Sequence, residues 1–133
     1  MKKRLLIIQD EHDLCEIFRT KFQKIGIDVS VAHDGREGFA SLLSRRPDGI
    51  LLDIRMREGD DGITFLRRLR RHRDEAEGSG LGVHKIPVLV ITAGDERMKP
   101  VFEAEGISGY VTMPFDSRDL SEQVVRLLSS EGP

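Results

Sequence analysis

At three places in this 133-residue chain, polar residues able to do chemistry stand directly behind a short apolar run, and a fourth strand-like segment ends on a threonine. Leu5-Leu6-Ile7-Ile8 leads into Gln9-Asp10-Glu11, and Gly49-Ile50-Leu51-Leu52 into Asp53. Ile86 to Ile91 leads into Thr92-Ala93, and Ser108 to Thr112 into Met113-Pro114. If these runs are strands of one parallel sheet, ligands bind outside their carboxyl ends, and the polar residues share that edge. Asp10 and Asp53 are then apposed, and apposed carboxylates repel unless a cation or a proton lies between them. Oxygen ligands with room for water suit Mg²⁺. A metal-clamped carboxylate beside a hydroxyl and a backbone N–H can accept a phosphoryl group, because that transfer needs mainly positioning and charge neutralisation. Either acid alone reads equally well as a cap or a turn. Both together with Thr92 point to chemistry.

The elements that position these residues follow from periodicity. Apolar runs of strand length alternate with segments whose apolar residues recur near every 3.6 positions. After the first run, Asp13 is placed to cap a helix carrying Leu14, Ile17, Phe18, Phe22 and Ile25, which Gly26 ends. Asp28 to Ala32 reads as a second strand and Asp34-Gly35 as a turn, followed by a helix with Phe39, Leu42 and Leu43 that stops at Pro47. Ile63, Leu66 and Leu69 stripe a third helix, and the Gly-rich residues 73–85 form a long loop. A fourth helix lies within 95–105. An interior proline is costly there, so this helix starts near Pro100 or kinks at it. Asp116 opens a last helix with Leu120, Val124, Leu127 and Leu128. Five strands alternating with five helices make (βα)5, an α/β fold of flavodoxin-like, doubly wound type with a five-stranded parallel sheet in the order 2-1-3-4-5. Residues 1–133 read as a single domain without repeat or linker.

Lys and Arg number 21 against 23 Asp and Glu, a formal net charge of −2, which argues against a general nucleic-acid or membrane-surface binder. The one cysteine, Cys15, excludes an internal disulfide framework or a Cys-rich metal site. No apolar run approaches a membrane span, and the four apolar residues after Met1-Lys2-Lys3-Arg4 are too few for a signal peptide. A cytoplasmic location is expected.

Taken in order, these pieces resemble the receiver domain of bacterial two-component response regulators, the CheY-like proteins. The match runs through Leu5 to Asp10, Ala32-His33-Asp34-Gly35, Pro47 to Asp53 with Met56, Ile91-Thr92-Ala93, and Gly109-Tyr110 followed by Pro114-Phe115. The resemblance implies a signalling module rather than an enzyme. It implies that Asp53 is the phosphoacceptor, and that Asp10, Asp53 and the backbone carbonyl of Arg55 hold Mg²⁺. The hydroxyl of Thr92 and the N–H of Ala93 would bind the phosphoryl oxygens, and Tyr110 would turn inward as the switch is thrown. Its partners would be a sensor histidine kinase or phosphotransfer protein and an output protein. Neither nucleic acid nor membrane is implied, and a homodimer through the fourth-helix face stays open.

Three departures stand out. Gln9 replaces the first of two usual acids; its amide can reach a metal only through water. Met113 replaces a lysine that normally pairs with the acceptor, which methionine cannot do. Arg57 takes a usual proline position in a loop one residue longer than typical. The first two changes leave the net charge as it was. Three acids and one lysine sum to −2, as do Asp10 and Asp53 alone. Arg55 or Arg57 could swing over the acceptor as a substitute cation, its guanidinium gripping phosphate, although solvated arginines are the plainer reading.

Two other readings compete. A pseudo-receiver of the same fold would bind protein without phosphate, in keeping with Gln9 and Met113. A flavodoxin-type flavoprotein shares the strand order, but Glu11-His12-Asp13 would repel a phosphate. No nucleotide-binding fingerprint is present. Plainer roles fit the remaining residues: His12 solvated, Cys15 a small core residue, and Arg67, Arg68, Arg70, Arg71 and Arg73 with His72 a solvated flank. With no effector domain before Pro133, a stand-alone regulator and a piece of a longer chain are both compatible with the sequence.

Overall fold

The computed structural model describes residues 2–53, 62–72, 82–92 and 96–129. Five strands, β1 (Arg4–Ile8), β2 (Asp28–Ala32), β3 (Gly49–Asp53), β4 (Val88–Thr92) and β5 (Gly109–Thr112), form one parallel sheet in the order β2-β1-β3-β4-β5. Five helices connect or follow them: α1 (His12–Gln23), α2 (Gly35–Ser44), α3 (Gly62–Arg71), α4 (Lys99–Glu105) and α5 (Ser117–Ser129). This is the (βα)5 layout and strand order expected from the alternation of periods.

The period of two along each strand sorts the core into two halves. Leu6, Ile8, Ile50, Leu52, Val88 and Val90 point to one face and pack against α2, α3 and α4. Leu5, Ile7, Leu51, Leu89 and Ile91 point to the other and pack against α1 and α5. Strands β3 and β4 are buried at every position, which is why they read as continuous apolar runs. Side chains crowd close to the backbone at two glycines. A Cβ on Gly38 would lie 2.6 Å from Ile8 Cδ1, and one on Gly49 would lie 2.9 Å from Leu127 Cδ2.

Several local expectations need correction. Asp13 does not cap α1; Glu11 holds the cap position without a side-chain bond, and Asp13 lies in the first turn. Asp34 is a helix cap rather than part of a turn, its Oδ1 accepting from Glu37 N at 2.7 Å. Ile17, Ile25 and Leu43 are exposed although they share the helical period, because the apolar stripe is wider than the contact. Strand β4 begins at Val88, after Ile86-Pro87, and a single 3-10 turn (Val83–Lys85) closes the connection before it. Other expectations hold. Pro100 sits in the first turn of a short α4, and Asp116 Oδ1 accepts from Arg118 N and Asp119 N at the start of α5.

The basic end of α3 is the largest revision. Arg67, Arg68 and Arg71 are exposed, as a solvated flank would be, and Arg73 lies outside the described residues, but the cluster also forms a latch onto the end of α4 through Arg70 and Glu105. Arg67 and Arg71 pair with Glu105 at 3.2 and 3.6 Å. Arg70 donates to Gly106 O from both Nε and Nη2 (3.0 and 2.7 Å), and from Nη1 to His84 O (3.0 Å) and Ile86 O (2.8 Å). Arg68 lies 4.0 Å over the Phe39 ring. Burial pushes the Arg70 guanidinium down to about 10, still high enough to be charged at neutral pH.

Truncating Arg70 removes these hydrogen bonds to Gly106 O, His84 O and Ile86 O. Arg70→Met is expected to lower unfolding free energy by about 2 kcal/mol in urea titration, with faster amide exchange across α4. A loss below about 0.5 kcal/mol, typical of an exposed pair, would show that the latch contributes nothing.

Candidate functional site

The strand registers bring the chemistry-bearing residues to one edge. Ile8 pairs with Leu52, so Gln9 and Asp53 follow side by side at the carboxyl ends of β1 and β3. Asp53 pairs with Ile91, which places Thr92 one residue beyond it on β4, and Thr92 pairs with Thr112 on β5. Alternation then assigns faces. Gln9, Asp53 and Met113 fall on the α1/α5 side, where Met113 packs against the core with Leu14, Val31 and Phe115. Thr92 and Tyr110 fall on the α3/α4 side, where Tyr110 packs at the core margin with its ring 6.2 Å from that of Phe102.

Asp53 is 1% exposed and Thr92 2%, whereas Asp10 is half-buried. A buried carboxylate needs donors. One comes from Gln9, expected only to reach a metal through a bound water. Gln9 Nε2 donates to Asp53 Oδ2, and Gln9 Oε1 accepts from Glu11 N at 3.0 Å. Gln9 is itself only 1% exposed. Periodicity could not reveal this contact, because it depends on the β1–β3 register. Arg55, Arg57 and Ala93 lie outside the described residues.

A second group sits behind Gln9. The Cys15 thiol donates to Gln9 O at 3.2 Å, and His33 Nδ1 lies 3.2 Å from the same carbonyl. His12, expected to be merely solvated, stacks on His33 with ring centroids 3.9 Å apart. Cys15 is buried, as expected of a small core residue.

Asp10 and Asp53 supply hard, anionic oxygens at adjacent strand ends. Mg²⁺ is commonly held by one or two carboxylates and keeps several waters, so this donor set suits it. Among the described residues, no cluster of three or more His, Cys, Asp or Glu side chains is placed to hold a metal.

The model of the response regulator receiver domain family matches residues 5–125. The chain belongs to that family. Solved structures agree with the assignment. A putative response regulator from Chloroflexus aurantiacus is 27% identical with a TM-score of 0.84, covering 98% of this chain and 100% of its own. The signal receiver domain of a histidine kinase from Syntrophus aciditrophicus is also 27% identical, with a TM-score of 0.79 and coverage of 96% and 90%. At 21% identity, the receiver domain of a sensor histidine kinase from Pseudomonas aeruginosa shares the fold, with a TM-score of 0.81 and coverage of 98% and 100%. That structure carries a magnesium ion coordinated in its active-site cleft. Phosphorylation and Mg²⁺ are typical of the family, whose receiver domains are signalling modules. No helix among the described residues of this receiver domain is long and apolar enough to cross a membrane.

Burial above all pushes the Cys15 thiol up from its ordinary value of 9.0 to about 11, with Glu16 adding to the effect. The thiol of the folded receiver should therefore resist Ellman's reagent at pH 8 and react once the chain unfolds. Between pH 9.0 and about 11 only the unfolded chain ionises, so folding free energy falls by about 2 kcal/mol over that window. Cys15→Ala should remove this part of the alkaline loss. Rapid native labelling, or an unchanged alkaline profile in the variant, would contradict the assignment.

Proposed function

We propose that this receiver domain takes a phosphoryl group on Asp53 from the phosphohistidine of a sensor histidine kinase or phosphotransfer protein. The observation that carries the reading is the buried Asp53 carboxylate at the end of the central strand, oriented by a donor, with Asp10 just past the end of the neighbouring strand. An oxygen of Asp53 would form a bond to phosphorus as the P–N bond of the donor breaks, the electron pair leaving on the imidazole nitrogen. Asp10, Asp53 and the backbone carbonyl of Arg55 would hold Mg²⁺. The bound ion would supply the neutralisation that brings an anionic phosphoryl group beside two carboxylates.

The remaining steps belong to the protein's own groups. The Thr92 hydroxyl and the Ala93 N–H would take the phosphoryl oxygens. Thr92 and Tyr110 share the α3/α4 face, so a shift of Thr92 toward the site makes room for Tyr110 to turn inward. That motion would re-bias the surface formed by α4, β5 and α5 toward an output protein, a population shift between two packings.

One observation favours a second reading. Met113 packs into the apolar core on the same face as Asp53, where a cation is usual. A pseudo-receiver that engages its partner without phosphate would tolerate this.

Intact-protein mass after incubation with acetyl phosphate or phosphoramidate separates the two. Phosphorylation predicts an adduct that requires Mg²⁺ and disappears in Asp53→Asn. No adduct from either donor would favour the pseudo-receiver.

A further inference from the structure

A receiver that lacks the usual lysine has lost the group that orients its acceptor, and the geometry around Gln9 supplies a replacement. We propose that Gln9 is a neutral stand-in for that lysine, a positioning residue whose side-chain amide holds Asp53 in the orientation from which it takes the phosphoryl group. This rests on the reading of Asp53 as the phosphoacceptor.

Three observations converge on Gln9. Its backbone is fixed on both sides: Gln9 N donates to Ala32 O at 3.0 Å, and Gln9 O accepts from the Cys15 thiol at 3.2 Å with His33 Nδ1 also at 3.2 Å. Its amide can face only one way. With Oε1 accepting from Glu11 N at 3.0 Å, Nε2 is turned to Asp53 Oδ2; the reversed amide would set oxygen against carboxylate and NH₂ against N–H. Both side chains are only 1% exposed, so water is a poor competitor for the bond.

The replacement also explains why positions 9 and 113 suit each other. A glutamate at 9 would press a second carboxylate against Asp53, a repulsion that a lysine could relieve and Met113 cannot. With an amide at 9 no such relief is needed, and Met113 is available to pack against the core on the α1/α5 side. Gln9 neither gives nor takes a proton in the transfer. It fixes the direction from which the Asp53 oxygen meets phosphorus.

The test measures the initial rate of adduct formation with acetyl phosphate and saturating Mg²⁺, by intact mass, across donor concentrations. Gln9→Leu keeps the volume and loses the donor. Its limiting rate should fall about tenfold, with little change in the acetyl phosphate concentration giving half that rate. Adding Met113→Lys to Gln9→Leu should bring the rate back to within about threefold of the original chain, because the lysine restores a donor to Asp53. A purely structural role for Gln9 would not be rescued in this way. Gln9→Asn, which keeps the amide but shortens its reach, provides a second variant should leucine unfold the site, and a slowing similar to Gln9→Leu is expected. An undiminished rate in Gln9→Leu or Gln9→Asn, or no rescue by lysine, overturns the positioning role while leaving Asp53 as acceptor. An original chain that takes up no phosphoryl group overturns the acceptor reading itself, and the role of Gln9 with it.

Discussion

The site is organised around a carboxylate that must stay buried. Asp53 ends the central strand of the sheet at 1% exposure, flanked by strands β1 and β4. A buried anion without donors would cost several kcal/mol or would neutralise itself by taking up a proton. The structure answers with an amide from the neighbouring strand, whose own placement depends on β2 through Ala32 and on α1 through Cys15. Sheet register, the packing of α1 and the setting of the Asp53 carboxylate are thus linked by a few hydrogen bonds.

In the proposed switch, the opposite face would read that state out. Thr92 and Tyr110 share the α3/α4 side of the sheet, and Tyr110 lies at the margin of the core near Phe102 of α4. Helix α4 spans only Lys99–Glu105, with Pro100 in its first turn. A helix this short has little stability of its own. Its end is held by Arg67, Arg70 and Arg71 of α3 through Glu105 and Gly106. Helix α4 is thus set between the sheet edge and an arginine latch, and any motion of it in the proposed switch would depend on how those two anchors are balanced.

The strand ends were legible in the sequence because buried parallel strands announce themselves as apolar runs, and the residue after each run lies at the carboxyl edge of the sheet. Asp10, Asp53 and Thr92 were placed at that edge in this way, and the strand order followed from the alternation of strands and helices. The side-chain choices made across strands were not legible. Gln9 read as a weakened metal-site residue because its bond to Asp53 joins positions 44 apart in the chain. Arg70 read as solvated because a helical period cannot tell an exposed arginine from one that reaches carbonyls in two other connections. Ile17 and Ile25 failed in the opposite sense: they keep the period but lie beyond the width of the contact.

The central claim is that this edge, with an amide in place of a lysine, is built to hold a phosphoryl group. A crystal structure with Mg²⁺ and beryllofluoride, a mimic of the bound phosphoryl group, tests it most directly. The account predicts beryllofluoride bonded to an Asp53 oxygen, the Thr92 hydroxyl turned toward its fluorines, the ion held by Asp10 and Asp53, and the Gln9 amide still donating at the site. An Asp53 carboxylate unchanged at saturating beryllofluoride and Mg²⁺, with its bond from Gln9 intact and nothing bound, would contradict it.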